Sequence, residues 1–404
     1  MLNVVTKDEA VKIVHEFTAG LAEKTEQVSL LDASGRTLAA DVVAKENIPA
    51  FDRSTVDGYA VCAADTFGAG AAIPAQLDVI GEILMGEQPD FALQSGQCAK
   101  IATGGMLPAG ANAAVMVEHT DSEDGLCLVY RSVAPFENVT KKGDDIAAGE
   151  TALKKGTVIT SAEIGVLAAL GVDAVPVVKK PVIAVISTGD EIVSGTPQLG
   201  QIRDINTYLL ASAVKEYGCE ALVYGVVKDD RGAIEQAVKD CVAQADAVLI
   251  SGGSSAGTRD LTVQIIDSLG KAYFHGIAMK PGKPTILGRV GGRPVFGLPG
   301  HPVAAFFVSE LFVRPLIARL MGREVRERTV PARLAEAVSA NHGRAQYMGV
   351  FLSGEEGSLT AVPIHSKSGL ITSLAGSDGF FCIPRDCEGV PAGETVQVRI
   401  YTTD

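Results

Sequence analysis

Between residues 176 and 322 short apolar runs alternate with stretches of helical period, and this alternation restricts the chain to few architectures. Residues 182–186 are uninterrupted apolar, as a strand buried on both faces requires. Asn206 reads as the cap of a helix running to about Tyr217, with Gly218 as its stop. Strands follow at 221–227 and 247–251, helices at 231–244 and 261–269, short strands at 285–287 and 295–296, and a long last helix at 303–320. Such alternation implies a doubly wound parallel sheet with helices on both faces. Ligands on these sheets bind at the carboxyl ends of the strands.

Outside this segment the texture changes. Thr6 with Glu9 reads as a capping box, and Ala10, Val14, Phe17 and Leu21 fall behind it at helical spacing. Residues 51–143 carry short apolar runs between Gly, Pro and Asp clusters and no helical period, the pattern of a small β domain. A helix at 160–170 is expected to pack back on the first helix. Residues 324–404 return to β texture, punctuated by Pro384, Pro391 and Gly393, and read as a small barrel or sandwich. The expected division is a discontinuous helical/linker domain (1–50 and 144–176), a β domain (51–143), an α/β domain (177–323) and a C-terminal β-barrel-like domain (324–404).

Composition narrows the function. Aromatics make up 5% of the 404 residues and Trp is absent, so stacking platforms for single-stranded nucleic acid are not expected. A formal net charge of -13 disfavours phosphate backbones, and a small anionic ligand would need a local basic pocket. The 7 Cys are odd in number and form no CxxC pair, and the 6 His show no HxxxH spacing. Neither a disulfide framework nor a zinc site is supported. No leader pattern and no apolar run of about 20 residues occurs, so the cytoplasm is the expected location and no membrane partner is expected.

Several loops could carry chemistry. Ser251-Gly252-Gly253-Ser254-Ser255 lies between a strand and a helix, where glycines let backbone N–H groups approach an anion. Asp260 there equally serves to cap the helix. Ser187-Thr188-Gly189-Asp190-Glu191 leaves a strand end with two carboxylates, able to hold a divalent metal or simply to form a polar turn. Lys280-Pro281-Gly282-Lys283-Pro284 places two cations on a stiff turn, and it is not a Walker A loop because Pro284 stands where Ser or Thr is needed. Gly297-Leu298-Pro299-Gly300-His301-Pro302 enters the last helix with Pro302 in its first turn. The loops ending Val56-Asp57-Gly58-Tyr59-Ala60, Thr103-Gly104 and Gly143-Asp144-Asp145-Ile146 are singly ordinary turns.

Taken in order, these segments resemble the molybdopterin molybdenumtransferase family, known as MoeA in bacteria and as the gephyrin E domain in animals. The resemblance spans nearly the whole chain, with Asp229-Asp230 as a further carrier. It implies four domains and a homodimer whose cleft joins the α/β domain of one subunit to the β domain of the other. It also implies insertion of molybdate into molybdopterin-AMP with release of AMP. The resemblance assigns catalytic roles to Asp57, Asp145, Glu191, Asp229 and Asp260, with Mg²⁺ held by Asp57, Asp145 and Glu191. It makes Thr103, Thr188, Gly252, Gly253, Ser254, Lys280, Lys283, Pro299, Pro302 and Ser368 substrate contacts. Transient contact with the molybdopterin adenylyltransferase and with apo-molybdoenzymes is implied too. Thr140, Gly276 and Met348 stand where some members carry a basic residue, and His301 where an Asn is often found; Lys141, Lys142 or Arg344 are the possible substitutes. The competing readings are adenylylation by ATP, a molybdopterin-binding paralogue or tungstate-preferring relative, and a scaffold protein.

Overall fold

The computed structural model describes residues 4–18, 24–252, 256–325, 327–355, 357–365 and 369–401, without the side chains of 256–260. The chain divides into two compact units. The larger comprises Met1–Glu26, Gly35–Thr37 and Val178–Asp404, and the smaller Gln27–Ser34 and Leu38–Val177.

The larger unit contains a six-stranded sheet in the order Glu220–Val227, Val182–Thr188, Ala247–Gly252, Arg293–Pro299, Ile286–Val290, Gly270–His275. Its first four strands pair in parallel, Ile286–Val290 runs against them, and Gly270–His275 pairs antiparallel with that strand and so runs with the first four; the sheet is mixed rather than wholly parallel. The reason is Gly291-Gly292. Both residues have positive φ, 55° and 81°, and they close a two-residue hairpin between Val290 and Arg293. Side chains of the Val182–Thr188 strand alternate between two cores. Ile183 and Val185 face Leu210, Phe307 and Phe312, while Ala184 and Ile186 face Ile234, Val238 and Ile265. Helices therefore cover both faces, as a doubly wound sheet requires.

The first helix, Lys7–Thr18, belongs to this unit. Its Ala10, Val14 and Phe17 enter the same core as Ile183 and Phe312. The Arg289 guanidinium stacks 4.1 Å from the Phe17 ring and donates to the Phe17 carbonyl at 3.0 Å. The expected packing of the 160–170 helix on the first helix is thus not found. That helix, Ser161–Ala169, buries Leu167 among Leu38, Ile159, Val175 and Val177 of the smaller unit. Both helices do start at capping boxes, Thr6 with Glu9 and Thr160 with Glu163. Leu21 lies outside the described residues.

The last helix is Pro302–Val308 and Arg314–Leu320 joined through a π turn, Ser309–Val313. Pro315 has no N–H for the carbonyl four residues back, and the ladder widens there. Glu310 in the wide turn is buried and accepts from Tyr217 Oη at 2.7 Å and Arg314 Nη1 at 3.2 Å. Burial, then the Glu310 charge, holds the Tyr217 phenol protonated well above its ordinary range.

The C-terminal segment is a barrel. Ala345–Ser353, Thr360–Pro363, Thr329–Leu334, Thr395–Ile400 and Gly379–Ile383 pair in sequence, and Gly379–Ile383 pairs back onto Ala345–Ser353. Val350, Ala361, Phe381, Ile383 and Val398 fill it. Met279–Lys280 adds alongside Ala345 and Gln346, anchoring the start of the Lys-Pro loop to the barrel.

The smaller unit is built on another six-stranded sheet, in the order Ala113–Met116, Gly58–Val61, Gln97–Ile101, Ala75–Ile83, Leu126–Val129, Thr120–Glu123. Tyr59 and Val61 face one core and Ala60 the other.

Candidate active site

In the larger unit, strand register brings the sequence-predicted loops to one edge. Thr188 is level with Val227 on one side and Gly252 on the other, and Gly252 is level with Pro299. Thr188, Val227, Gly252 and Pro299 therefore end their strands in a single row of carboxyl ends, where ligands of such sheets bind. Thr188 is buried. A Cβ on Gly252 would collide with the Thr188 hydroxyl and carbonyl, so only glycine fits this close approach.

Asn206 braces the row. It does not cap its helix, because the Thr207 N–H is taken by Asp204 Oδ1 at 3.1 Å. Asn206 Nδ2 instead donates to Ser251 Oγ at 2.7 Å and to the Gly300 carbonyl at 2.8 Å. It ties together the ends of two neighbouring strands.

Acids gather beside Thr188. The Asp229 N–H donates to Asp190 Oδ1 at 3.3 Å, and Asp229 Oδ1 is buried without a hydrogen-bond partner. Burial, then the Asp190 and Glu191 charges, raise the Asp229 carboxyl above its ordinary value, against a hydrogen bond from Thr188.

A cavity of about 1190 Å³ opens between these strand ends and the barrel, and Lys280, Lys283, Pro299, His301, Arg344 and Gln346 are in its wall. Thr285 fixes the Lys-Pro loop by donating Oγ1 to the Gly282 carbonyl at 2.7 Å and N–H to the Lys283 carbonyl at 3.0 Å. Pro302, at the first position of its helix, is buried. Arg344 and Met348 line this cavity together. Gln346 was not anticipated, since an amide in an alternating strand looks like any outward polar residue. Gly253, Ser254 and Ser368 lie outside the described residues, and Asp260 is placed only as backbone in the Ala256–Leu269 helix.

In the smaller unit, Asp57 Oδ1 accepts from the Thr103 N–H at 2.7 Å and the Thr103 hydroxyl at 3.0 Å. These two donors hold its carboxyl below the ordinary range, the backbone N–H first. The adjacent Gly58 packs so tightly that a Cβ would strike the Val115 carbonyl. Asp145 is exposed, with its N–H on the Ile48 carbonyl at 3.0 Å. Asp144, not Asp145, closes the local turn, accepting the Lys141 N–H at 2.7 Å. Asp57 and Asp145 thus belong to one unit and Glu191 to the other. Among the described residues, no three His, Cys, Asp or Glu side chains form a group able to hold a metal ion.

Comparisons with known proteins fit this architecture. Residues 5–171 match the MoeA N-terminal region (domain I and II), 184–319 a probable molybdopterin binding domain, and 331–401 the MoeA C-terminal region (domain IV). The chain belongs to the MoeA family. It is 34% identical to the molybdopterin molybdenumtransferase of Bacillus subtilis, over 97% of this chain and 93% of that protein. It is 35% identical to a putative molybdopterin biosynthesis protein of Methanocaldococcus jannaschii, over 98% of both chains. Two solved molybdopterin biosynthesis MoeA proteins from Pyrococcus horikoshii match with TM-scores of 0.88 and 0.85 at 41% and 33% identity. Each match covers 98% of this chain, and 99% and 100% of those chains. This MoeA-family chain is accordingly a transferase of molybdenum cofactor biosynthesis. Among the described residues, no helix is long and apolar enough to cross a membrane.

Proposed function

We propose that this MoeA-family protein inserts molybdenum from molybdate into molybdopterin-AMP and releases AMP. The observation that carries the reading is the cationic cavity of about 1190 Å³ beside the strand-end row, in a chain of net charge -13. A ligand site this large accommodates a pterin bearing a nucleotide, and local cations oppose the chain's overall repulsion of anions. Lys280 and Lys283 neutralise phosphate or oxyanion charge, with Arg344 as a third cation. Pro299 lines the cavity, Thr188 and Gly252 stand level with it on the strand-end row, and Asn206 ties Ser251 to the Gly300 carbonyl beside it. Asp57, pinned by Thr103, stays ionised and serves as a fixed negative group for the substrate complex.

Mg²⁺ belongs to the same proposal. Mg²⁺ characteristically takes one or two protein carboxylates and completes its shell with substrate phosphate and water. The orphaned, buried Asp229 oxygen in the field of Asp190 and Glu191 suits that pattern. Glu191 and Asp229 would hold the ion, which supplies polarisation of the phosphoanhydride. A homodimer, transient contacts with the adenylyltransferase and apo-molybdoenzymes, and a cytoplasmic location complete the proposal.

The test offers purified protein molybdopterin-AMP with Mg²⁺, and separately molybdopterin with ATP. Molybdate-dependent AMP release in the first arm supports insertion. Pyrophosphate release in the second, without activity in the first, would move the assignment to adenylylation.

A further inference from the structure

The sheet's opposite edge carries a second basic feature that the proposed reaction does not use. Lys24, Lys179, Lys180, Asp246, Arg293 and Leu320 line a cavity of about 250 Å³ there. Pro181, Asp246 and Arg293 stand at or just before the amino ends of three parallel strands. The Val182–Thr188 strand has seven residues, which puts this cavity roughly 20 Å from the strand-end row.

Four cations face one carboxylate. Asp246 is already committed: Oδ1 pairs with Lys24 Nζ at 2.8 Å and Arg293 Nη1 at 3.4 Å, and Oδ2 accepts the Val182 N–H at 3.0 Å. Its side chain is 14% exposed. Among the described residues lining the cavity, Lys179 and Lys180 therefore add positive charge beyond what Asp246 balances; Glu220 stands next to the lining, its N–H on the Pro181 carbonyl at 3.0 Å. Their backbone is held in place, since the Lys179 N–H donates to the Lys24 carbonyl at 2.8 Å. Lys24 precedes the point where the chain leaves the larger unit, and Lys179 follows the point where it returns.

We propose that this cavity binds a small multiply charged tetrahedral oxyanion, of the phosphate and molybdate class. The anion relieves repulsion among Lys24, Lys179 and Lys180 and stabilises the segment where the two chain crossings lie side by side. A ligand that binds only the folded state raises stability in proportion to the logarithm of its concentration above Kd. A dianion near several ammonium groups interacts more strongly than chloride, and the interaction weakens with salt.

The experiment titrates the full chain with inorganic phosphate, and separately with molybdate, at fixed low ionic strength set by chloride, reading the thermal midpoint. The Lys179→Ala/Lys180→Ala double variant tests the site, and Lys280→Ala tests the other cavity. The expected result is a saturable rise in midpoint, with apparent affinity reduced roughly tenfold in the double variant and unchanged in Lys280→Ala. Both lysines are exposed, so the double variant is expected to fold, and it should retain wild-type AMP release. Tighter response to molybdate than to phosphate identifies the substrate oxyanion as the occupant, and the reverse identifies phosphate. No saturable rise with either anion, or an unaltered response in the double variant, overturns the proposal. Because binding is read without turnover, its failure is separate from failure of the insertion activity.

Discussion

Asp57 and Asp229 are the same residue type in two candidate positions, and the two units treat them in opposite ways. Asp57 is exposed, takes two hydrogen bonds from Thr103, and is held below the ordinary carboxylate range. Asp229 is partly buried among other acids and raised above that range. One is a settled anion at a loop, and the other is a strained anion at a strand end. The difference follows from the scaffolds. A loop can fold its N–H groups around a carboxylate, whereas a parallel sheet directs successive loops to one edge and crowds whatever charge they bring. Crowding of that kind is stabilised by an added cation, whereas the Thr103 donors already offset part of the Asp57 charge.

The contrast can be broken most severely at Gly252. Gly252→Ala places a methyl against Thr188, and a loss of about 3 kcal/mol or more is expected, read by denaturant unfolding, together with loss of AMP release. A variant of wild-type stability would show that the strand-end row is not tightly packed. Next is Asp57→Ala. A roughly 100-fold fall in AMP release is expected, with a loss of stability smaller than at Gly252, since the exposed Asp57 carboxylate is held by two hydrogen bonds from Thr103.

Asp229→Asn should act in the other direction on stability. Without Mg²⁺ it removes repulsion from Asp190 and Glu191, and a small rise in midpoint is expected, limited by solvent screening of these partly exposed groups. Added Mg²⁺ should raise the wild-type midpoint and leave the variant's unchanged. A variant that melts lower than wild type would mean that Asp229 is satisfied as an anion.

The smallest effect lies outside both sites. Thr6→Ala should cost about 1 kcal/mol at neutral pH by removing the first helix's capping box. The backbone N–H and hydroxyl of Thr6 hold Glu9 below its reference value of 4.5. A depressed carboxyl stabilises the fold above the unfolded value, and that stabilisation is lost as pH falls through the folded one. The Thr6→Ala deficit should therefore shrink as unfolding is measured from pH 7 down to pH 3.

Much of this architecture was legible because it rests on short-range rules. The strands at 182–188 and 247–252 are nearly continuous apolar runs, and the Arg231–Gln244 helix begins just after Asp230, which caps Ala233. What failed was long-range. An amphipathic first helix shows which face it buries, not which core receives it, and Ala10, Val14 and Phe17 went to the α/β sheet. The strand expected at 285–287 is present, but the Gly291-Gly292 hairpin turns it against its neighbours, and the Gly270–His275 strand beyond it has no alternating signal of its own. In the site, the strand-end loops were legible from the alternation itself, and register then aligned Thr188, Gly252 and Pro299. The role of Asn206 was not legible, because its partners Ser251 and Gly300 are distant in sequence.

The central claim is tested most directly by measuring AMP released from molybdopterin-AMP under single-turnover conditions, with and without molybdate, beside Asp57→Ala and Glu191→Ala. The account predicts one AMP per molybdopterin-AMP consumed, dependent on molybdate, and strongly slowed in both variants. Tight binding of molybdopterin-AMP with no AMP release at any molybdate concentration would contradict it.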